Sequence, residues 1–527
     1  MLNSIQSIKI IGSEAVPVKV ECSIDKGIGI HLVGLVEVAV KESLLRMVTA
    51  IQCLNYRIPG KRIVFNLAPA DLKKSASGYD LPMVLAFLAA SEQVNLPDIE
   101  KWMVLGELGL DGSVRDVPGA YQATIAAVKA GCKGCIIPIG DLPSIIRLLD
   151  DDTKVYPVNT LSEAIEVIAH PEQALTAKKY YEERTASHLE ILLSLRPRTV
   201  WDRIKGNEGA KRAVEIAAAG GHPLLLVGAP GSSKELIARA LWNLLPPLSE
   251  AEAKEVCAIH SCGNRGGRHY NDAFIPPFCE QDNFASISSL FGGGQDGNIM
   301  PGKVSLAHKG MLFFNNLALT PKSVLETLRV PLEDKQVTIC RLKSRMVFPA
   351  DFRLVAATEP CPCGYYGEGD RCTCTAGQRA AYLARLSGPI YECLTIQAYC
   401  HIPAPGAKRS KGEGFLKVYG RVQNAIAIQK QRFANEPYKT NDEIPAKDIE
   451  KYCPLSGECK DLLEMIFTRL GLSARAYTRI IRIARTIADL AGSDSIKNEH
   501  IAEAASFRFL DRKNILDEIL TAEHQAS

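Results

Sequence analysis

Apolar residues alternate with other types at Val16, Val18 and Val20, and again at Ile28, Ile30 and Leu32. A two-residue period turns one face of an extended chain toward a core, so both stretches predict half-buried strands. Leu44, Leu45, Val48 and Ile51 recur with helical spacing and predict a helix over 41–53. Ile63 to Leu67 read as a strand ending at Pro69, residues 81–90 as an apolar helix, and 121–130 as a helix followed by a short buried strand at 135–138. The mixture predicts an α/β domain over 1–172. A polar stretch, Ala177-Lys178-Lys179-Tyr180-Tyr181-Glu182-Glu183-Arg184, follows and predicts a linker or linking helix within 173–198.

A second domain is expected over 199–398. Its signal is the apolar strand Leu224-Leu225-Leu226-Val227, a turn through Gly228 and Gly231, and a helix carrying Leu236, Ile237, Ala238, Ala240 and Leu241. From about Tyr399 the pattern turns helical, with Gly/Lys-rich punctuation at 405–414. Helical periodicity is clearest at 462–470 and 477–490, so 399–520 is expected to be a helical domain.

Composition narrows the class without naming a function. At 527 residues the chain has room for about three domains of ordinary size. A net charge of +3 gives no support for a broad nucleic-acid surface, although a local channel can hide in that average. No run approaches the ~20 apolar residues that span a bilayer. The start, Met1-Leu2-Asn3-Ser4-Ile5-Gln6-Ser7, has no basic region ahead of an apolar core, and the 16 cysteines do not form a small secreted scaffold. The expectation is a cytoplasmic chain with no membrane partner, its thiols reduced or metal-bound.

The turn at 228–235 is built like a phosphate-binding loop with two parts replaced. Strand, glycine-rich turn and helix aim backbone N–H groups at an anion on a helix N-terminus. The motif requires Gly-x-x-x-x-Gly-Lys-Ser/Thr. Gly228, Gly231, Ser232 and Lys234 suit it, but Ser233 stands at the second glycine and Glu235 at the Mg²⁺-binding hydroxyl. A later apolar strand, Met311-Leu312-Phe313-Phe314, should end in an acidic pair and ends in Asn315-Asn316. An amide holds Mg²⁺ weakly and cannot take a proton from water. Glu235 adds an anion beside the expected phosphates, a repulsion on the order of a kcal/mol or more. ATP or ADP is therefore expected to bind weakly, if at all, with no secure seat for Mg²⁺.

Longer phrases carry a family resemblance. They are Asp25-Lys26-Gly27-Ile28-Gly29, Asn66-Leu67-Ala68-Pro69-Ala70-Asp71-Leu72, Ser77-Gly78-Tyr79-Asp80-Leu81-Pro82, Gly106-Glu107-Leu108 with Leu110-Asp111-Gly112, and Glu215-Ile216-Ala217-Ala218-Ala219-Gly220-Gly221-His222. The most specific are Cys361-Pro362-Cys363-Gly364-Tyr365-Tyr366-Gly367 and Leu472-Ser473-Ala474-Arg475-Ala476-Tyr477. Together the chain resembles the ComM family of Mg-chelatase-like AAA+ ATPases. The resemblance implies a multidomain α/β architecture: a Lon-protease-like (S5-like) N-terminal domain, an AAA+ P-loop core and a C-terminal helical lid. It also implies a hexameric ring acting on DNA in natural transformation and branch migration.

Carried over position by position, the resemblance marks a consistent departure. The family's Gly-Lys-Thr is Ser233-Lys234-Glu235, and its Leu-Phe-Leu-Asp-Glu is Leu312-Phe313-Phe314-Asn315-Asn316. Its sensor asparagine is Glu359. Its Leu-Asp-Arg, which resembles an arginine-finger segment, is Tyr391-Glu392-Cys393 after Ser387-Gly388-Pro389, and a paired His-His is Asp282-Asn283. Arg475, the implied sensor for the γ-phosphate, is retained. The expected protein is a pseudo-ATPase, a structural or regulatory subunit of a homo- or hetero-oligomeric ring. The alternative is a working ATP-dependent DNA translocase in which Glu235 or Glu359 supplies the lost carboxylate. A magnesium-chelatase-type motor subunit is a third reading, against which the N-terminal domain argues.

Four further groups carry candidate chemistry. Cys361, Cys363, Cys372 and Cys374, in an insertion over 359–376, are candidate ligands of a structural Zn²⁺, with each pair spaced Cys-x-Cys rather than the usual Cys-x₂-Cys. Cys257, His260 and Cys262 lack a partner pair and read as packing. Ser75, Ser77, Lys73 and Lys74 lie near the nucleophile position of the Lon-like fold, but the base position falls near Tyr121 or Gln122, so a protease is not expected. Basic residues for DNA are thin: Lys408, Arg409 and Lys411 on a loop, and Arg475, Arg479, Arg482 and Arg485 on a helix. Salt-sensitive, sequence-independent binding is the most they predict.

Overall fold

The computed structural model describes residues 2–11, 14–35, 38–72, 74, 77–149, 153–182, 199–263, 274–281, 286–295, 298–341, 345–386, 389–403, 413–508 and 510. The N-terminal part is built on a mixed seven-stranded sheet. Its strands are β1 (Leu2–Ile11), β2 (Glu14–Asp25), β3 (Gly29–Val33), β4 (Arg62–Ala68), β5 (Trp102–Val104), β8 (Gly134–Pro138) and β9 (Val155–Val158), in the order β3-β4-β2-β1-β5-β8-β9. A short ladder of β6 (Glu107–Leu108) and β7 (Val114–Arg115) stands apart. Within the seven-stranded sheet the β1–β2 and β2–β4 pairs are antiparallel and the other pairs run parallel. Ile28 precedes β3 and is exposed, so the alternation there begins at Ile30, two positions later than the sequence suggests.

The apolar helix Asp80–Ala90 is buried on nearly all sides, which is why it shows no polar stripe. Asp80 opens it with its carboxylate wholly buried, accepting from Arg46 Nε at 2.6 Å and from the Leu108 amide at 3.1 Å. The helix Ala177–Glu182 belongs to this part rather than to a free linker, since Ala177 lies in its core; residues 183–198 lie outside those described.

The second part carries a five-stranded parallel sheet. Its strands are β10 (Leu224–Gly228), β11 (Phe278–Gln281), β14 (Met311–Phe314), β17 (Arg353–Thr358) and β18 (Ile396–Cys400), in the order β11-β14-β17-β10-β18. Leu224-Leu225-Leu226-Val227 and Met311-Leu312-Phe313-Phe314 are buried throughout, as parallel strands covered on both faces must be. Two hairpins interrupt this unit: β12 (Gly292–Gln295) with β13 (Asn298–Pro301), and β15 (Gln336–Cys340) with β16 (Arg345–Pro349). β18 runs through the boundary drawn at 398. Tyr399 and Cys400 pair with Val227 and Gly228, so the sheet ends later than the composition indicated.

The C-terminal part is helical, with Phe415–Arg432, Gly457–Leu470, Ala474–Leu490 and Asn498–Ser506. Its core is continuous with the sheet unit: Val418, Val422, Ile480 and Ile487 share one cluster with Ala213, Val214 and Ala217 of the helix Glu208–Gly220. A buried polar network fixes it. Asp489 accepts from Arg432 Nη2 at 2.6 Å, Arg485 Nε at 3.1 Å and Asn441 Nδ2 at 2.8 Å. His222, from the loop before β10, reaches Asp442 at 3.0 Å and Thr486 at 2.8 Å.

The N-terminal and sheet units meet along the helix Glu250–Gly263. Leu248, Ala253, Val256 and Cys257 enter the cluster formed by Tyr121, Ala123, Ala126 and Ala127. Gln122 Nε2 donates to the Ala258 carbonyl at 2.7 Å across this contact. Among the described residues no helix is long and apolar enough to cross a membrane.

Candidate nucleotide cleft and cysteine cluster

β14, β17 and β10 are consecutive in the sheet and end at one edge. The segments leaving these strands therefore converge, as ligand-binding loops do at the carboxyl edge of parallel sheets. They enclose a cleft of about 350 Å³ lined by Pro230, Gly231, Ser233, Lys234, Glu235, Asn315, Asn316 and Glu359. Ser233, Glu235, Asn315 and Asn316, the polar positions expected to depart from the family, thus face one space.

The loop satisfies itself. Lys234 Nζ donates to the carbonyls of Gly228 at 2.6 Å and Ala229 at 2.8 Å, and Ser232 Oγ donates to Ala229 at 2.7 Å. Burial holds the Lys234 ammonium below the usual lysine range, and the nearby Glu359 carboxylate opposes that shift. Ser233 adopts φ +65°, a left-handed conformation that glycine takes without strain. Glu235 is held at the rim: Arg239 bridges it to Glu280, at 3.0 Å to each carboxylate, while stacking over Phe278. Asn316 Oδ1 is buried in the cleft wall with no hydrogen-bond partner among the described residues. The Arg239 bridge and that acceptor were not evident from sequence, because both depend on how β11 and β14 bring distant segments together.

Other expected groups lie elsewhere. Arg475 is not among the cleft residues; it is exposed and ion-paired with Glu392 on the helix Pro389–Cys393. Cys393 ends that helix, its thiol raised by burial. Arg485 is committed to Asp489 and to the carbonyls of Ser493 and Asp494, and is not available to a ligand. Cys257 and Cys262 are buried, and His260 Nε2 bonds the Leu306 carbonyl at 2.8 Å, as packing residues do. Lys74 is fully buried with Nζ on the Pro69 carbonyl. Lys73, Ser75, Asp282, Asn283, Ser387, Gly388, Lys408, Arg409 and Lys411 lie outside the described residues, as does the side chain of Ser77.

The four cysteines do converge. Cys361 Sγ is 3.3 Å from Cys363 Sγ and 3.8 Å from Cys372 Sγ, Cys363 and Cys372 are 3.7 Å apart, and with Cys374 all four sulfurs lie within 4.8 Å of one another. A tetrahedron of thiolates around Zn²⁺, with Zn–S near 2.3 Å, has S···S edges of about 3.8 Å. The donor set and spacing fit that ion. None of residues 361–375 belongs to a hydrophobic cluster, so this loop has no apolar core of its own.

Three family models match in order: subunit ChlI of Mg-chelatase over residues 20–141, magnesium chelatase subunit ChlI over 201–405, and its C-terminal region over 412–508. The chain is 37% identical to YifB of Escherichia coli, over 97% of this chain and 98% of that one. It is 36% identical to YifB of Salmonella typhimurium, over 95% and 96%, and 34% identical to the competence protein ComM of Haemophilus influenzae, over 95% and 96%. The chain belongs to the ComM and YifB family of magnesium-chelatase-like AAA+ proteins. Within that family its cleft combines a phosphate loop bearing Lys234 with amides at Asn315 and Asn316.

Proposed function

We propose that this family member is a hydrolysis-deficient AAA+ protein of DNA processing, serving as a structural or regulatory subunit of a ring. One observation carries the reading: Glu235, Asn315, Asn316 and Glu359 share the cleft with Lys234. Backbone amides and a lysine can still meet phosphates. The hydroxyl and carboxylates that would seat Mg²⁺ and activate water are replaced. Arg475 and Glu392, with Cys393 beside them, stand off this cleft, so in a ring they serve contacts with an adjoining subunit. DNA is the proposed ligand of the assembly, by likeness to the competence protein. Zn²⁺ on Cys361, Cys363, Cys372 and Cys374 is proposed as a structural ion.

Nucleotide titration and phosphate release on the pure protein test this. Weak or absent binding without turnover is expected, and the combined reversion Ser233→Gly, Glu235→Thr, Asn315→Asp and Asn316→Glu is expected to restore hydrolysis. The second reading, an active translocase, draws on Glu359 and Glu235 lining the cleft. Turnover near the ordinary ~1 per second in the unmodified chain would establish it and end the first.

A further inference from the structure

The cysteine loop leaves the end of β17 immediately beyond a cleft residue. Thr358 closes the strand, Glu359 lines the cleft, and Cys361 follows. The loop then turns back onto the phosphate loop. Gly364 is buried with φ +84°, and a Cβ there would lie 2.8 Å from Pro230 Cδ, 3.1 Å from Pro230 Cγ and 3.3 Å from Glu359 Cδ. Only a glycine lets the two loops approach so closely. On its other side the cysteine loop is tied to β18 and the segment after it. Tyr399 Oη donates to the Tyr366 carbonyl at 2.8 Å, and the Ile402 amide donates to Glu368 Oε1 at 3.3 Å. Arg379 lies over the Tyr366 ring at 4.2 Å and Arg371 over the Tyr365 ring at 4.4 Å.

The loop therefore bridges the phosphate loop after β10 and the neighbouring strand β18. Its interior is the sulfur cluster, so a bound metal supplies the folding energy that an apolar core would otherwise give. We propose that metal binding at Cys361, Cys363, Cys372 and Cys374 braces the phosphate loop through the Gly364–Pro230 contact, making the geometry of the nucleotide cleft metal-dependent. This rests on reading the cluster as a Zn²⁺ site, but not on whether nucleotide binds or is hydrolysed. The phosphate loop spends its own hydrogen bonds internally on Lys234 and Ser232, and Pro230 has no N–H to anchor it, so contact from outside is what positions its tip.

Hydrogen exchange on the full chain tests the brace. Metal content is measured on the purified protein, then exchange is followed in peptides covering 226–236 and 359–376, with 80–90 as a reference, before and after chelation. Chelation is expected to speed exchange roughly tenfold in both 226–236 and 359–376 while 80–90 is unchanged. Gly364→Val, which keeps all four thiols, is expected to retain the metal and still loosen 226–236. If chelation frees 359–376 and leaves 226–236 unchanged, the coupling is wrong though the metal site stands. If the protein neither carries Zn²⁺ nor binds it when added, the metal reading falls and the brace with it.

Discussion

Lys234 donates to the carbonyl oxygen of Ala229 at 2.8 Å, and its ammonium also serves Gly228 at 2.6 Å. The lysine that should greet a phosphate is thus the clasp of its own loop. Charge-assisted bonds of this kind are net stabilising, less the desolvation of a partly buried ammonium. Lys234→Met is expected to destabilise the nucleotide-free protein by about 1 kcal/mol, read from the denaturant midpoint. An unchanged midpoint would mean that the clasp carries no stability.

Ser233 marks a strained backbone position. A side chain at φ +65° is strained where glycine is not. Ser233→Gly is expected to stabilise the chain by about 1 kcal/mol, offset in part by the greater freedom of glycine in the unfolded state. On the proposed pseudo-ATPase reading, the same substitution alone is expected not to bring hydrolysis, because Glu235, Asn315 and Asn316 are unchanged.

Asp489 is the hub of the network beneath the helical part, almost wholly buried and bonded to Arg432, Arg485 and Asn441. Removing it leaves the buried Arg485 guanidinium and the half-buried Arg432 guanidinium without their carboxylate. Asp489→Ala is expected to cost about 3–5 kcal/mol in an unfolding titration. The exposed Arg475–Glu392 pair is the contrast: Glu392→Ala is expected to change stability by less than about 0.5 kcal/mol.

Asp141 carries a pH dependence. Burial, reinforced by the Asp116 carboxylate, pushes its pKa from 3.8 up to about 7. The folded state then holds a proton that the unfolded state has released, so stability falls as pH rises from about 4 to about 7. Asp141→Asn keeps an acceptor for the Val117 amide and removes the titration. Its melting point is expected to exceed that of the parent increasingly above pH 5, with little difference at pH 4. An equal offset at every pH would show that ionisation is not the cause.

Much of the site was legible in sequence because its parts are local. The phosphate loop, the strand ending in Asn315-Asn316 and the cysteine pairs are short motifs, and a parallel sheet with this strand order brings their ends to one edge. The four sulfurs converge as their spacing suggested. What stayed hidden is long-range. Arg475 pairs with a carboxylate 83 residues away in sequence and is not part of the cleft lining. Gly364 reads as a turn residue, and only the fold reveals Pro230 against it. The boundary expected at 398 falls inside β18 because Tyr399 and Cys400 continue a strand into a stretch whose composition is already changing.

The shared helix Glu250–Gly263 has a consequence for how the molecule can be divided. Leu248, Ala253, Val256 and Cys257 are covered by the first domain rather than by the second, to which they belong in sequence. Excising residues 1–172 would bare that oily stripe to water, and the remainder would tend to clump. The two units are thus expected to melt together, and truncation series that treat the first third as an accessory would report the exposure of this seam instead of a lost activity.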